Sequence, residues 1–197
     1  MALMGIDLAG SERRASGWAV LYRGKIYFGI AHTDNELLAL IRKYKVKKVI
    51  IDAPLTLPKG RRLEVRDDNH FRECDLLMRK EGIRFFPITL GPMRMLTKRG
   101  IALKKKLKSI EVFEGFPGAS YDRLGVTRKD KKEIKKLLSR FKFPTPDASQ
   151  DELDALILLL TLWLKEIGIC APFKGKDGEI IAPPTLKRFK NISERNK

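Results

Sequence analysis

Apolar and polar positions alternate along the start of the chain in blocks that predict three strands. The apolar block at 2–9 is followed by two strand-like blocks at 17–22 and 25–31. Arg23 and Gly24 separate the last two blocks and predict a tight turn between them. Connections this short favour an antiparallel meander of three strands.

A helix and a buried strand follow the meander. Thr33 and Glu36 match the two ends of a capping box, and apolar residues up to Ile41 recur after them at helical spacing. This pattern predicts a helix that runs to about Tyr44. The next block, 46–52, contains an uninterrupted Val-Ile-Ile run, which is typical of a strand covered by helices on both faces.

The rest of the chain is predicted to contain more helix than strand. We expect helices at 71–80, 91–108, 129–140 and 150–167, and one strand at 109–113. A second capping box, from Ser149 to Glu152, opens the last helix, which is apolar nearly all round and should therefore be central. The element order predicts an α/β domain with a mixed sheet and helices on its faces.

Composition adds a strong positive charge to this α/β pattern. The 197 residues include 41 Lys and Arg against 24 Asp and Glu, which gives a formal net charge of +17. Such an excess attracts polyanions, and nucleic acid is the commonest of these. An anionic membrane surface is an alternative partner. The lysines could also be solvated and bind no partner. The length suits a single domain.

Several classes of protein lack support in the sequence. Cys74 and Cys170 form no CxxC pair, and His32 and His70 have no metal-ligand spacing, which argues against structural zinc and a disulfide framework. Charge follows the N-terminus too soon for a signal peptide, and the longest apolar run, 155–164, is too short to span a bilayer. We therefore expect a soluble, cytoplasmic protein with no membrane partner. The chain shows no phosphate-binding loop and no Ser/His/Asp pattern.

Two aspartates occupy predicted strands. Asp7 lies inside the first strand, where an isolated buried carboxylate is costly unless something such as a cation compensates it. Asp52 lies where a buried strand ends, which is where sites gather in α/β sheets. The alternative for both residues is an aspartate that caps a turn, before Gly10 or before Pro54.

Further acids lie in the last predicted helix. Asp151 and Asp154 are three residues apart and therefore share one helix face. The helix dipole explains acids in the first turn, but it explains the deeper Asp154 poorly. A metal shared with the strand carboxylates explains both, since Mg²⁺ prefers oxygen ligands. Glu114, at the end of a later strand, is a candidate fifth acid, and Glu111 is the competing choice.

Basic residues surround these acids in three clusters. The clusters are Lys59, Arg61, Arg62 and Arg66; Arg94, Lys98, Arg99, Lys104, Lys105 and Lys106; and Arg128, Lys129, Lys131 and Lys132. Positive rims beside an acidic centre suit a phosphate backbone, although each run alone is typical of a solvated face. Phe71, Phe85 and Phe86 could stack on bases, but we expect them to pack in the core.

The order of a strand Asp, a strand-end Asp and a helical DxxD resembles the RNase H-like superfamily. The helical DxxD resembles that of the RuvC-type Holliday junction resolvases. More closely, the chain resembles the domain of unknown function 429 family, described as predicted RNase H-like nucleases. The matching stretches run from the first strand to about Trp163 and are GIDLAGSERRASGWAVL, VIIDAPLTLP, FRECDLLMRKEGIRFFP, EGFPGASYDRLG and DELDALILLLTLWL.

The resemblance implies an RNase H-like fold with a five-stranded mixed sheet, in which three antiparallel strands precede the parallel ones and the first strand is central. The RNase H-like domain would span 1–168 with a basic insertion at about 54–108, and 169–197 would form a basic C-terminal extension. The implied cofactor is Mg²⁺ or Mn²⁺. The implied ligands are Asp7, Asp52, Asp151 and Asp154, with Glu114 as a further site residue and with a substrate or structural role for Arg72, Asp75 and Arg79.

Three functions remain open on the sequence. The first is a metal-dependent nuclease that hydrolyses phosphodiester bonds of DNA or RNA, and a resolvase-like activity would favour a symmetric homodimer. The second is a nucleic-acid-binding protein that has the same fold but no turnover. The third is a nucleotide phosphohydrolase or phosphotransferase, because related ATPase folds also begin with a strand Asp and a Gly/Ser turn. For that class the chain is short.

Overall fold

A computed structural model describes residues 1–63 and 68–188 of the chain. The strands are β1 (Ala2–Asp7), β2 (Ser16–Tyr22), β3 (Lys25–Ala31), β4 (Val46–Asp52), β5 (Glu111–Gly115), β6 (Phe173–Gly175) and β7 (Gly178–Ile181). The helices are α1 (Asp34–Lys43), α2 (Glu73–Lys80), α3 (Gly91–Lys106), α4 (Pro117–Leu124), α5 (Lys131–Arg140) and α6 (Gln150–Glu166).

The strands form one mixed sheet in the order β3-β2-β1-β4-β5-β7-β6. Strands β1 to β3 make the predicted antiparallel meander, and β4, β5 and β7 continue it in parallel with β1. Arg23 and Gly24 join β2 to β3, both with positive φ (51° and 74°), as a two-residue hairpin loop requires. The carboxyl ends of β1, β4 and β5 consequently lie at one edge of the sheet.

Helix α6 lies directly on one face of the sheet, where it packs against β1, β2 and β4. Two glycines permit the close approach. A Cβ atom on Gly5 would lie 2.4 Å from the carbonyl oxygen of Ala155, and one on Gly17 would lie 1.9 Å from the carbonyl oxygen of Asp151. Because neither position carries a side chain, the first turns of α6 reach the end of β1.

The opposite face of the sheet is covered by α1 and α3. Leu37 and Ile41 of α1 and Leu103 of α3 pack there against Ile6 and Ile51. Helix α2 packs at the far edge against β6 and β7. Helix α6 is 17 residues long, and among the residues that the structure describes, no helix is long and apolar enough to cross a membrane.

The structure confirms the mixed α/β sheet and both capping boxes, at Thr33 and Ser149. The prediction of five strands was wrong, because the sheet has seven. The extra strands β6 and β7 have only three and four residues, too few for a periodic signal. Both strands lie after residue 168 and belong to the same sheet. The division into a domain at 1–168 and an extension at 169–197 stays a prediction. Arg66 lies outside the described residues, as does the tail after residue 188.

Candidate active site

Asp7 and Asp52 lie side by side at the edge of the sheet where the parallel strands end. The register pairs Ile6 of β1 with Ile51 of β4, so the aspartate that follows each isoleucine ends its strand beside the other. Side chains alternate between faces along a strand, and Gly5 lies directly against α6. Asp7 is therefore on the α6 face, as is Asp52, two residues after Ile50 of the same core cluster.

The first turn of α6 brings Asp151 and Asp154 to this edge. The backbone of Asp151 lies against Gly17, and Gly17 is the register partner of Asp7 across β1 and β2. Asp151 and Asp154 are three residues apart and therefore lie on one helix face, at the end of α6 that is next to the strand acids. The structure thus brings together all four aspartates that the sequence suggested as metal ligands, from three separate elements.

The electrostatics of these carboxylates reflect their proximity. Burial raises the pKa of Asp7 well above its ordinary value, and the charges of Asp52, Asp154 and Asp151 raise it further. Burial, followed by the charge of Asp154, raises the pKa of Asp52 to about 8. Like charges held together in this way are stable only if a proton or a cation neutralises them.

Asp154 is held in place by two residues that the sequence analysis did not select. Its Oδ1 accepts hydrogen bonds from the Tyr121 hydroxyl (2.6 Å) and from the Gln150 side-chain amide (2.9 Å). Burial raises the pKa of Asp154, whereas these hydrogen bonds and the nearby charge of Lys129 lower it. Tyr121 is on α4, whose start at Pro117 and end at Gly125 carry the usual signals of helix termini. Those two signals could have revealed the helix.

Glu114 is placed differently from the four aspartates. Its neighbours in β5, Phe113 and Gly115, contact the α6 side of the core, so Glu114 lies on the other face of the sheet. Its carboxylate accepts hydrogen bonds from Arg72 at 2.6 and 2.7 Å and from the backbone N–H of Leu55 at 2.8 Å. Burial raises the pKa of Glu114, and the charge of Arg72 opposes that rise.

Arg72 is the centre of a buried ionic network. Its side chain is 1% exposed, and it also binds Asp75 through Nε and Nη2 at 3.1 and 2.8 Å. A further hydrogen bond of 2.9 Å reaches the hydroxyl of Thr56. Arg79, the third residue that the resemblance suggested, lies over the ring of Phe71 at 5.4 Å. Arg72, Asp75 and Glu114 therefore connect α2 to β5 and to the loop after β4.

The donor chemistry of the aspartate cluster fits a hard divalent cation, since all four side chains offer carboxylate oxygens. In the described part of the chain, no three or more His, Cys, Asp or Glu side chains are already arranged to hold an ion. Asp154 instead accepts hydrogen bonds from Tyr121 and Gln150. A cation would compete with these contacts for the same oxygens.

The predicted basic clusters divide into paired and exposed side chains. Arg99 is 8% exposed and donates to Asp34, while Arg128 forms an ion pair with Asp122 at 2.5 Å. The exposed members include Lys98, Lys104, Lys105, Lys129, Lys131 and Lys132, together with Lys106, which also forms an ion pair with Asp34 at 3.1 Å. Helix α3, which carries four of these lysines, also lies against Gly10, just beyond the end of β1. The first turns of α3 therefore lie beside the end of β1, and the exposed lysines follow along the same helix.

Comparison with known proteins supports the class of fold. No family model matches the chain, so the resemblance to the domain of unknown function 429 family has no support from one. No curated protein sequence matches it either. The fold, a mixed α/β sheet with helices on its faces, is similar to that of RuvC.

The particular similarity is to RuvC of Thermus thermophilus. One solved structure of that protein matches with a TM-score of 0.50 and 12% sequence identity, over 85% of this chain and 97% of that one. A second, of T. thermophilus RuvC in complex with a Holliday junction substrate, matches with a TM-score of 0.48 and 13% identity over the same shares. At this level of identity the similarity concerns the fold alone.

Proposed function

We propose that the chain is a metal-dependent nuclease that hydrolyses phosphodiester bonds of DNA or RNA. The observation that carries this proposal is the convergence of four aspartates at the edge where the parallel strands end. The charges of Asp52, Asp154 and Asp151 raise the pKa of Asp7, which supports a shared site. Carboxylates that oppose one another's ionisation do not stabilise the fold by themselves. Such a cluster is typical of a site that binds a cation.

The four aspartates and the residues that contact them have different roles in this proposal. Asp7, Asp52, Asp151 and Asp154 would hold Mg²⁺ or Mn²⁺, which when bound would activate a water and stabilise the charge that develops on the phosphodiester. Tyr121 and Gln150 orient Asp154 through their hydrogen bonds.

Glu114 has a positioning part in the same proposal. Through Arg72 and the N–H of Leu55 it fixes the loop that follows Asp52. Its own oxygens are occupied by these contacts, and it lies on the other face of the sheet from Asp52.

The charge of the protein supports nucleic acid as the substrate. The net charge of +17 is carried in part by exposed lysines on α3, whose first turns lie beside the end of β1. Such a surface attracts a phosphate backbone through release of counterions. The fold similarity to RuvC agrees with this class of activity, at the level of fold.

The test is cleavage of labelled DNA and RNA, as single strands, duplexes and junctions, with Mg²⁺, Mn²⁺ or EDTA. We expect metal-dependent cutting by the wild type and none by Asp7→Asn. A folded Asp7→Asn protein with full activity would overturn the assignment of Asp7. Asp147→Asn is a matched control, because Asp147 is exposed and its positive φ of 41° is one that asparagine also tolerates. Calorimetric titration of Mn²⁺ provides a readout independent of turnover.

A nucleic-acid-binding protein without turnover is the second candidate. The observation that favours it is that Asp154 already accepts hydrogen bonds from Tyr121 and Gln150, with which a bound cation would have to compete. This candidate predicts binding that weakens steeply with salt, with no cleavage under any metal condition. The same set of assays separates the two.

A further inference from the structure

A cavity of about 240 Å³ opens beside the acidic edge and is used by none of the roles described above. Asp52 forms part of its wall, so the cavity and the aspartate cluster share a boundary. The remaining wall is mainly apolar and aromatic, with Phe85, Phe86 and Phe116 among its members. It is a small cavity beside the proposed site of phosphodiester cleavage.

Phe86 is the unusual member of this wall. Its side chain is 67% exposed, although the sequence analysis expected it to pack in the core. Phe85 packs edge-on against Phe71, whereas the ring of Phe86 stacks on no other ring in residues 1–63 and 68–188. A large aromatic ring left exposed at the wall of a cavity offers a face for a planar ligand.

The charged groups on the floor of the cavity are bound to one another. Arg72 and Glu114 contribute to it, and the Arg72 guanidinium pairs with the carboxylates of both Glu114 and Asp75. All three side-chain nitrogens of Arg72 donate hydrogen bonds, to Asp75, Glu114 or Thr56. A charged group entering the cavity would therefore find no free partner on the floor, which favours a neutral, flat occupant.

The rim of the cavity carries two arginines, of which Arg128 is paired with Asp122. Arg128 lies over the ring of Phe116 at 5.3 Å and is fixed by Asp122 and by the carbonyl oxygen of Arg84. The side chain of Arg84 is exposed and forms no ion pair within the described residues. A ligand with a flat neutral part inside and an anionic part at the mouth matches this distribution.

We propose that the cavity receives one nucleobase, unstacked from its strand, while the adjoining phosphate lies at the aspartate cluster. The proposal rests on the proposed function, and it narrows the substrate to strands with a base free to leave its stack, either single strands or junctions. Enzymes that act on such bases extrude them into pockets lined by aromatic side chains. Recognition by stacking is tolerant of sequence, because every base has a π face.

The test combines a change in the protein with a change in the nucleic acid. Short labelled single strands, intact or with one abasic position moved along the sequence, are titrated in EDTA, and the dissociation constant is read from fluorescence anisotropy. For the wild type, we expect the abasic site at one position to weaken binding about tenfold, the usual worth of one stacked base. Phe86→Ala should weaken binding to the intact strand by the same factor and abolish the dependence on position.

Two further variants control for packing. Phe86→Leu keeps an apolar side chain but has no ring, so it should behave like Phe86→Ala. Tyr27→Ala removes another exposed ring, on the edge strand β3 in register with Val20, and should bind as the wild type does. A partner protein as the true occupant would leave binding unchanged in every Phe86 variant, which would overturn the proposal.

The outcome separates this proposal from the nuclease proposal. Cleavage by the wild type, together with Phe86 variants that bind and respond to the abasic site normally, would overturn the base pocket and keep the nuclease. A position-dependent loss that Phe86→Ala abolishes, without cleavage under any metal condition, would keep the base pocket and overturn the nuclease. Absence of both binding and cleavage would overturn both.

Discussion

Gly17 controls how closely α6 approaches the strand acids, and its replacement by alanine tests that geometry. A Cβ atom at this position would lie 1.9 Å from the carbonyl oxygen of Asp151, whereas ordinary van der Waals contact begins at 3.4 Å. The obstacle is backbone and not a flexible side chain. The first turn of α6 or the end of β2 must therefore move by about 1.5 Å, the difference between these two distances in the packed structure.

Both stability and activity should respond to that displacement. Overpacking of this kind costs about 1–3 kcal/mol of the free energy of unfolding. Asp151 moves with the helix, and a misplacement of about 1 Å in a catalytic site lowers the rate about 100-fold. We therefore expect Gly17→Ala to fold, to lose about 1–3 kcal/mol of stability and to cleave about 100 times more slowly.

The assays are urea unfolding and the rate of metal-dependent cleavage, with Gly91→Ala as the matched control. A Cβ atom on Gly91 would meet nothing within 4 Å, so that variant should resemble the wild type in both assays. The reasoning is refuted if Gly17→Ala keeps the stability and the cleavage rate of Gly91→Ala. Loss of stability with full activity would show that the position of Asp151 is unimportant for the reaction.

Two further predictions concern buried charge. Arg72→Met should lower the free energy of unfolding by about 3–5 kcal/mol, because it leaves the carboxylates of Glu114 and Asp75 buried without their partner; a loss below about 1 kcal/mol in urea unfolding at pH 7 would contradict this. The raised pKa values of Asp7 and Asp52 mean that the folded state binds more protons than the unfolded state. In EDTA, stability should therefore fall as the pH rises from about 4 to about 8. Mg²⁺ should reduce that fall, and a flat profile in thermal unfolding would contradict the prediction.

Much of the fold could be predicted because its main elements carry strong local signals. The capping boxes at Thr33 and Ser149 mark where α1 and α6 begin, and the apolar run 155–164 marks α6 as central. The residues that were missed have weaker signals or distant partners. Tyr121 and Gln150 are examples, since they meet Asp154 only once the helices are in place. Arg72 was suggested only by the resemblance, because it meets its partner Glu114 through the tertiary fold, 42 residues away.

The aspartates of the site could be predicted together because parallel strands end at the same edge and α6 presents Asp151 and Asp154 on one face. The position of Glu114 could not be predicted. Successive side chains in a strand point to opposite faces of the sheet, so an error of one residue reverses the predicted face. The sequence predicted a strand that ended at Phe113, whereas β5 continues to Gly115. Only packed neighbours decide the face. Phe113 and Gly115 contact the α6 side, and Glu114 between them must therefore turn to Arg72.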